Sequence, residues 1–196
     1  MSGSYEPQDS YFRRARAEGY LARSIYKLQE IDQRYQLLRP GMTVVDLGAA
    51  PGSWTQYLLQ KVGPTGKVVA LDLEPVHVRT SNLIVYQIDV FSEATEKLLD
   101  KFAVDGVVSD MAPATSGQRV VDQTRSAALV ARTLALARLW IRPGGFWVAK
   151  LLEGPALSAL LSQARELFGQ THIFRPKATR KGSTECFLIG KKRKPC

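Results

Sequence analysis

Cysteine and histidine are nearly missing, with two of each in 196 residues. Cys186 and Cys196 are too few for a disulfide framework, and with His77 and His172 as the only imidazoles no four-ligand zinc spacing can be written. No metal site is therefore expected. Long apolar runs are missing as well. The opening MSGSYEPQDS has no apolar core of the secretory type, and the most hydrophobic helical stretch is broken by Arg125, Arg132 and Arg138. The expectation is a chain with no membrane span, working in the cytoplasm. No internal repeat is visible, which excludes a solenoid.

Acidic residues are scarce at one end in particular. Residues 40–170 carry twelve basic and twelve acidic groups and residues 1–39 carry seven and five, whereas residues 171–196 carry eight basic groups and one acidic. The last 26 residues thus hold +7 of the net +9. A neutral body with a basic edge fits a polyanion, either nucleic acid or an anionic membrane surface. The run Lys191-Lys-Arg-Lys194 reads as part of a solvated basic tail over 191–196, with a phosphate contact as its other use.

What the chain does have is a core. A hydrophobic content of 45% over 196 residues is enough for one domain spanning residues 1–196. Apolar, β-branched runs predict strands at Thr43–Leu47, Lys67–Leu73, Leu83–Asp89, Val104–Asp110, Phe146–Leu151, Thr171–Phe174 and Cys186–Gly190. Most are apolar without alternation, so both faces must be covered, as in a mostly parallel sheet between helical layers. Helical patterns fall between them at Ser53–Val62, Ser92–Phe102, Arg119–Trp140 and Pro155–Phe168, and Arg142-Pro-Gly-Gly145 reads as the stop of the long helix. The fold class is a doubly wound α/β sheet. Ahead of it, Tyr11–Leu38 is amphipathic and makes residues 1–39 a basic helical extension.

The turn after the first strand, Asp46-Leu-Gly-Ala-Ala-Pro-Gly-Ser-Trp54, puts an aspartate at a strand end and small residues before a helix. A dinucleotide turn would read G-x-G-x-x-G, but here only Gly48 and Gly52 are present, four apart and without a lysine. That pattern suits a cationic ligand lacking phosphate, such as S-adenosylmethionine. Asp72 follows where a carboxylate can accept from both hydroxyls of an adenosine ribose. Asp89 can accept from the adenine amine, and Asp110 would lie beside the sulfonium. Any one of these is an ordinary turn former, but four successive strands ending in aspartate bring 46, 72, 89 and 110 to one sheet edge.

With Asp46–Trp54, Ser109-Asp-Met-Ala-Pro113, Tyr26-Lys-Leu28, Trp147-Val-Ala-Lys150 and Ser183-Thr-Glu185, the chain resembles the FtsJ-type RNA 2′-O-ribose methyltransferases over nearly its whole length. The resemblance implies a Rossmann-like, S-adenosylmethionine-dependent fold. It also implies a catalytic Lys-Asp-Lys-Glu tetrad at Lys27, Asp110, Lys150 and Glu185, with cofactor contacts at Gly52, Trp54, Asp72, Asp89 and Asp110. The implied partner is RNA, above all ribosomal RNA in a large-subunit particle and with tRNA as the alternative; a monomer with no membrane or DNA partner is the expectation beside it. Three positions depart from the family pattern: Ser53 replaces the second glycine of Gly-Gly-Trp, Ala114 an asparagine after Asp-Met-Ala-Pro, and Thr184 an arginine.

Transfer to a ribose hydroxyl needs alignment and removal of a proton. Lys150, ending the apolar run Phe146-Trp-Val-Ala, is the candidate base, oriented by Asp110 and Glu185, while Lys27 places the ribose or phosphate. Among other reaction classes, amino-methylating enzymes would show Asn/Asp-Pro-Pro-Tyr/Phe where this chain has Asp110-Met-Ala-Pro113. A cytosine C5 enzyme would need a cysteine there. A non-catalytic RNA binder would have no use for all four tetrad side chains.

Overall fold

The computed structural model describes residues 10–98, 102–179 and 182–195. Two helices, α1 (Ser10–Ala17) and α2 (Ile25–Tyr35), precede strand β1 (Thr43–Leu47), helix α3 (Ser53–Val62), β2 (Lys67–Asp72), β3 (Leu83–Gln87) and α4 (Glu93–Lys97). They are followed by β4 (Val104–Ser109), α5 (Arg119–Trp140), β5 (Ile141–Leu152), α6 (Leu157–Leu167), β6 (Phe168–Phe174) and β7 (Glu185–Arg193). The strands form one seven-stranded sheet in the order β3-β2-β1-β4-β5-β7-β6. It is parallel from β3 to β5, and β7 runs antiparallel between β5 and β6. The order reverses at β1 and β4, and the crevice at their carboxyl ends is where such sheets bind ligands.

The lack of alternation in the strands has the physical reason anticipated. Val45, Leu47, Val69, Leu71, Trp147, Leu151 and Leu188 pack with α5 and α6 on one face. Their neighbours Val44, Val68, Val108, Val148, Phe187 and Ile189 pack with α2 and α3 on the other. Because successive strand side chains point to opposite faces, both sets must be apolar.

Several expected boundaries move. The amphipathic segment Tyr11–Leu38 is two helices, separated where Gly19 takes φ +78°. The helix expected over Ser92–Phe102 ends at Lys97, and residues 99–101 of that span lie outside the described residues. The stop at Arg142–Gly145 is an excursion inside β5, because Ile141 pairs with Val104 and Phe146 with Gly106, leaving four residues opposite Asp105. The basic tail is also corrected. Lys191–Arg193 continues β7, with Lys191 opposite Phe146 and Arg193 opposite Phe168. Arg193 is buried and donates to the Arg138 carbonyl at 3.0 Å, so a strand register and a helix-end carbonyl claim what composition alone reads as a solvated end. Cys196, at its tip, lies outside the described residues.

Candidate active site

A cavity of about 420 Å³ opens at the carboxyl edge of the sheet, lined by Gly48, Asp72, Asp89 and Asp110 among the residues singled out above. Its walls are apolar, from Leu73, Ile88, Val90, Phe91, Met111 and Leu129, and among the described residues its lining includes no lysine, arginine or histidine. Three carboxylates without a cation repel phosphate and favour a neutral or cationic ligand with an apolar ring. The β1–α3 turn is shaped for close approach. Gly48 has φ +75°, and a Cβ there would come 2.2 Å from Met111 Cγ, so no other residue fits.

Backbone amides hold the rim carboxylates still. Asp72 Oδ2 accepts from the Ala50 amide at 2.8 Å and Oδ1 from that of Glu74 at 2.9 Å. Asp89 Oδ1 accepts from the Phe91 amide at 2.9 Å. Each carboxylate has lone pairs left over for a ligand.

Adjoining the cavity, four side chains from α2, the β4 end, β5 and β7 meet. Lys150 Nζ lies 2.9 Å from Asp110 Oδ1 and also donates to the Asp110 carbonyl. Lys27 Nζ lies 3.9 Å from the same Oδ1 and reaches Glu185 Oε1 at 2.7 Å and Oε2 at 2.9 Å. All four are largely buried, with side-chain exposures between 8% and 16%. Two cations and two anions out of water hold together only as a mutually neutralising set. Asp110 belongs to both cluster and cavity, which places an amine beside the ligand space.

Three residues expected at the cofactor do not line the cavity. Asp46 is fully buried in β1, where its Oδ2 accepts from Thr55 Oγ1 at 2.7 Å and its Oδ1 has no hydrogen-bond partner among the described residues. Burial pushes its carboxyl up to about 7; the Thr55 bond opposes this, while the charges of Asp110 and Asp72 add to it. Gly52 serves packing, since a Cβ there would sit 2.7 Å from Val78 Cγ2. The Trp54 ring lies in the core, stacked on Phe187 at 5.8 Å and donating to the Ser24 carbonyl at 2.9 Å. Ser53, one of the departures noted above, shares a 2.9 Å hydrogen bond with Ser24 that ties α3 to the start of α2.

Sequence reasoning missed the supports of this cluster. Glu30, one turn beyond Lys27, accepts the amides of Lys177 at 2.7 Å and Ala178 at 2.9 Å, while Arg23 donates to the Ala178 carbonyl at 2.6 Å. Thr179 Oγ1 then donates to Glu185 Oε1 at 3.2 Å. The segment before β7 is thereby clamped onto the helix that carries Lys27. The only sequence signal was a carboxylate spaced i+3 from a lysine on one helix face. Two arginines of the basic N- and C-terminal segments are also committed internally, Arg23 as above and Arg175 to Glu153 at 2.6 and 2.7 Å. Arg13, Arg16 and Lys177 remain exposed, and Arg14 pairs with Glu18. Arg180 and Lys181 lie outside the described residues.

Comparison with known proteins gives consistent results. The chain is 46% identical over 190 residues to a protein of Syntrophobacter fumaroxidans called ribosomal RNA large subunit methyltransferase E, covering 95% of this chain and 96% of that one. Proteins of the same name from Sorangium cellulosum and Bdellovibrio bacteriovorus are 44% and 39% identical, each across 97% of this chain and across 90% and 100% of their own lengths. A crystal structure described as a ribosomal RNA methyltransferase of Plasmodium falciparum superposes with a TM-score of 0.76 at 23% identity, over 89% of this chain and 98% of that one, and shows the same fold. The family model for FtsJ-like methyltransferases matches residues 20–193. Matched by that model from α2 through β7, and by relatives along nearly their full lengths, this chain belongs to the FtsJ-like methyltransferase family.

Proposed function

We propose that this protein transfers a methyl group from S-adenosylmethionine to a ribose 2′-hydroxyl in RNA, with a uridine of large-subunit ribosomal RNA as the target. It does so as a single methyltransferase domain, monomeric and cytoplasmic. The observation that carries the reading is Asp110, which lines the acidic cavity and holds Lys150 at 2.9 Å, so that a ligand and an acceptor hydroxyl can meet at one point. The names of the relatives support the choice of RNA.

The residues present fit S-adenosylmethionine. When bound, it supplies a methyl carbon activated by an adjacent sulfonium. Asp72 offers two anchored oxygens to a ribose diol, and Asp89 keeps Oδ2 for an exocyclic amine. Helix α3 begins just after Gly52, with no side-chain cap among the described residues, so its first-turn amides, including that of Trp54, can bind a carboxylate. Asp110 and the buried Asp46 favour a cation above them. Lys150, once its ammonium has released a proton to solvent, takes the proton of the 2′-hydroxyl while Asp110 fixes its direction. Lys27, held by Glu185, places the ribose or its phosphate.

The direct test is methyl transfer from labelled S-adenosylmethionine, followed by mapping of 2′-O-methyl sites in total RNA made with and without the protein. A new site in large-subunit ribosomal RNA is the expected result. Label on a base overturns the reaction, and label in tRNA alone overturns the target.

Asp72→Ala is expected to weaken S-adenosylmethionine binding by about tenfold, the equivalent of one net charge-assisted hydrogen bond. Calorimetric titration checks this. Comparable binding of NAD by the wild-type protein would count against the cofactor assignment.

Replacing Arg13, Arg14 and Arg16 together with alanine is expected to flatten the salt dependence of RNA binding, since each lost phosphate contact removes roughly 0.7–0.9 from the log–log slope. An unchanged slope would take α1 out of the RNA footprint.

A further inference from the structure

At the opposite edge of the sheet, where β1, β4 and β5 begin and the antiparallel β7 ends, lies a second cleft of about 480 Å³. It is lined by Arg39, Arg142, Lys191 and Lys192, with Asp105 as its single carboxylate among the described residues. Asp105 is already neutralised, because it is ion-paired with Arg142 and its Oδ2 accepts from the Thr43 amide at 2.8 Å. Lys191 donates to the Tyr35 carbonyl at the end of α2 at 2.7 Å, an uncharged partner. Arg39 and Lys192 are exposed, and neither pairs with a carboxylate among the described residues.

The shape of the cleft depends on an unusual backbone. Among the described residues only Gln36 (φ +51°) and Lys192 (φ +58°) are left-handed without being glycine, and both line this cleft. Gln36 is the left-handed cap of α2, its amide donating to the Asp32 carbonyl. In a regular strand Lys191 and Lys192 would point to opposite faces. The left-handed turn at Lys192 breaks that alternation, so both lysines line one concavity together with Arg39 and Arg142. Left-handed backbone at a bulky residue survives where the surroundings over-determine it, and such sites cluster where a ligand is held.

The cleft is near the candidate active site, yet separate from it. Helix α2 carries Lys27 in the cluster and ends next to Gln36 in the cleft, nine residues or roughly 13 Å at 1.5 Å per residue. Along β5, Phe146 lines the cleft and Lys150 follows four residues later, again roughly 13 Å. Arg34, exposed on α2 over the Tyr35 and Phe174 rings, lies between the two ends. A nucleotide seated at Lys150 cannot touch the cleft, whereas a folded RNA wrapping the α2 side of the sheet can.

We propose that this cleft binds backbone phosphates of a second segment of the same RNA, so that the protein grips its substrate at both edges of the sheet. The inference rests on the RNA methyltransferase reading given above. An anionic membrane surface is the competing source of phosphate, but the cations line a concavity instead of a flat face, which suits a strand.

The test pairs Arg39→Glu/Lys192→Glu with the wild-type protein, measuring binding of a domain-sized ribosomal RNA fragment against salt and binding of a trinucleotide. For the long RNA the variant is expected to lose affinity and to reduce the log–log salt slope by about 1.4–1.8, the contribution of two phosphates. Trinucleotide binding, S-adenosylmethionine affinity and the single-turnover rate at saturating RNA stay unchanged. The singly neutralised Arg39→Gln and Lys192→Gln, each reducing the slope by about half as much, give the same reading if the double variant folds poorly. An unchanged slope with long RNA overturns the inference while leaving the methyltransferase reading intact. A wild-type protein that neither binds nor methylates RNA overturns both. Retention on phosphatidylserine vesicles that is lost in the variant, with RNA binding unaffected, overturns the RNA assignment in favour of a membrane.

Discussion

Lys150→Ala is expected to lower the single-turnover rate of methyl transfer by about 10²–10⁴, the usual effect of a lost general base, while leaving S-adenosylmethionine binding nearly unchanged. Lys150 pairs with Asp110 but does not line the cavity, so in the proposed mechanism its loss falls on the hydroxyl and not on the adenosine. Lys150→Arg separates two explanations. It keeps a positive charge against Asp110, and with it much of the cluster's electrostatic balance, but a guanidinium does not give up its proton. A rate nearly as low as that of the alanine variant assigns proton removal to Lys150. A near wild-type rate makes Lys150 a positioning charge and moves the base to Asp110, Glu185 or water. The measurement needs saturating RNA, so that changes in RNA affinity do not enter the rate.

Asp46→Asn is expected to stabilise the protein increasingly as pH rises. Burial pushes the Asp46 carboxyl up to about 7, so between the ordinary carboxylate range and pH 7 the native state binds a proton that the unfolded chain has released. Native stability therefore falls as pH rises across that window and levels off above it. Asparagine keeps an oxygen for Thr55 Oγ1 and carries no charge. The gain should be near zero at pH 4 and reach at most about 4 kcal/mol above pH 7. Urea unfolding at a series of pH values reads this directly, and a gain independent of pH would show that Asp46 does not carry the proton. A cationic ligand favours the ionised carboxylate, so S-adenosylmethionine should bind the wild-type protein more tightly at pH 8 than at pH 6, and the variant should lose that difference.

Much of this molecule is written locally. The apolar runs around Val44, Val68, Val107 and Val148 form strands covered on both faces because no pleated arrangement could leave either side wet. Placing Asp72, Asp89 and Asp110 at one edge followed from strand direction alone, since parallel strands carry their ends to the same side. Helices α3 and α5 keep their expected bounds because glycine, proline and side-chain periodicity act within a few residues.

The tetrad was not legible in this way. Lys27 and Glu185 stand 158 residues apart, and without the family resemblance each reads as a surface charge. Their 2.7 Å approach exists because α2 packs across the sheet face and Glu30 pins the segment leading into β7. Trp54 shows the reverse case: a residue carried over as a cofactor contact turns its ring onto Phe187, because the contact between α2 and α3 decides which side of the helix start is core. Lys191–Arg193 likewise reads as a tail until pairing with β5 and β6 turns it into strand, burying Arg193 and bringing Lys192 into the second cleft. The sequence by itself determined element type and sheet direction, which depend on neighbours a few residues away. The tertiary structure alone decided which charges lose water together, because that depends on surfaces that meet only after the chain has packed.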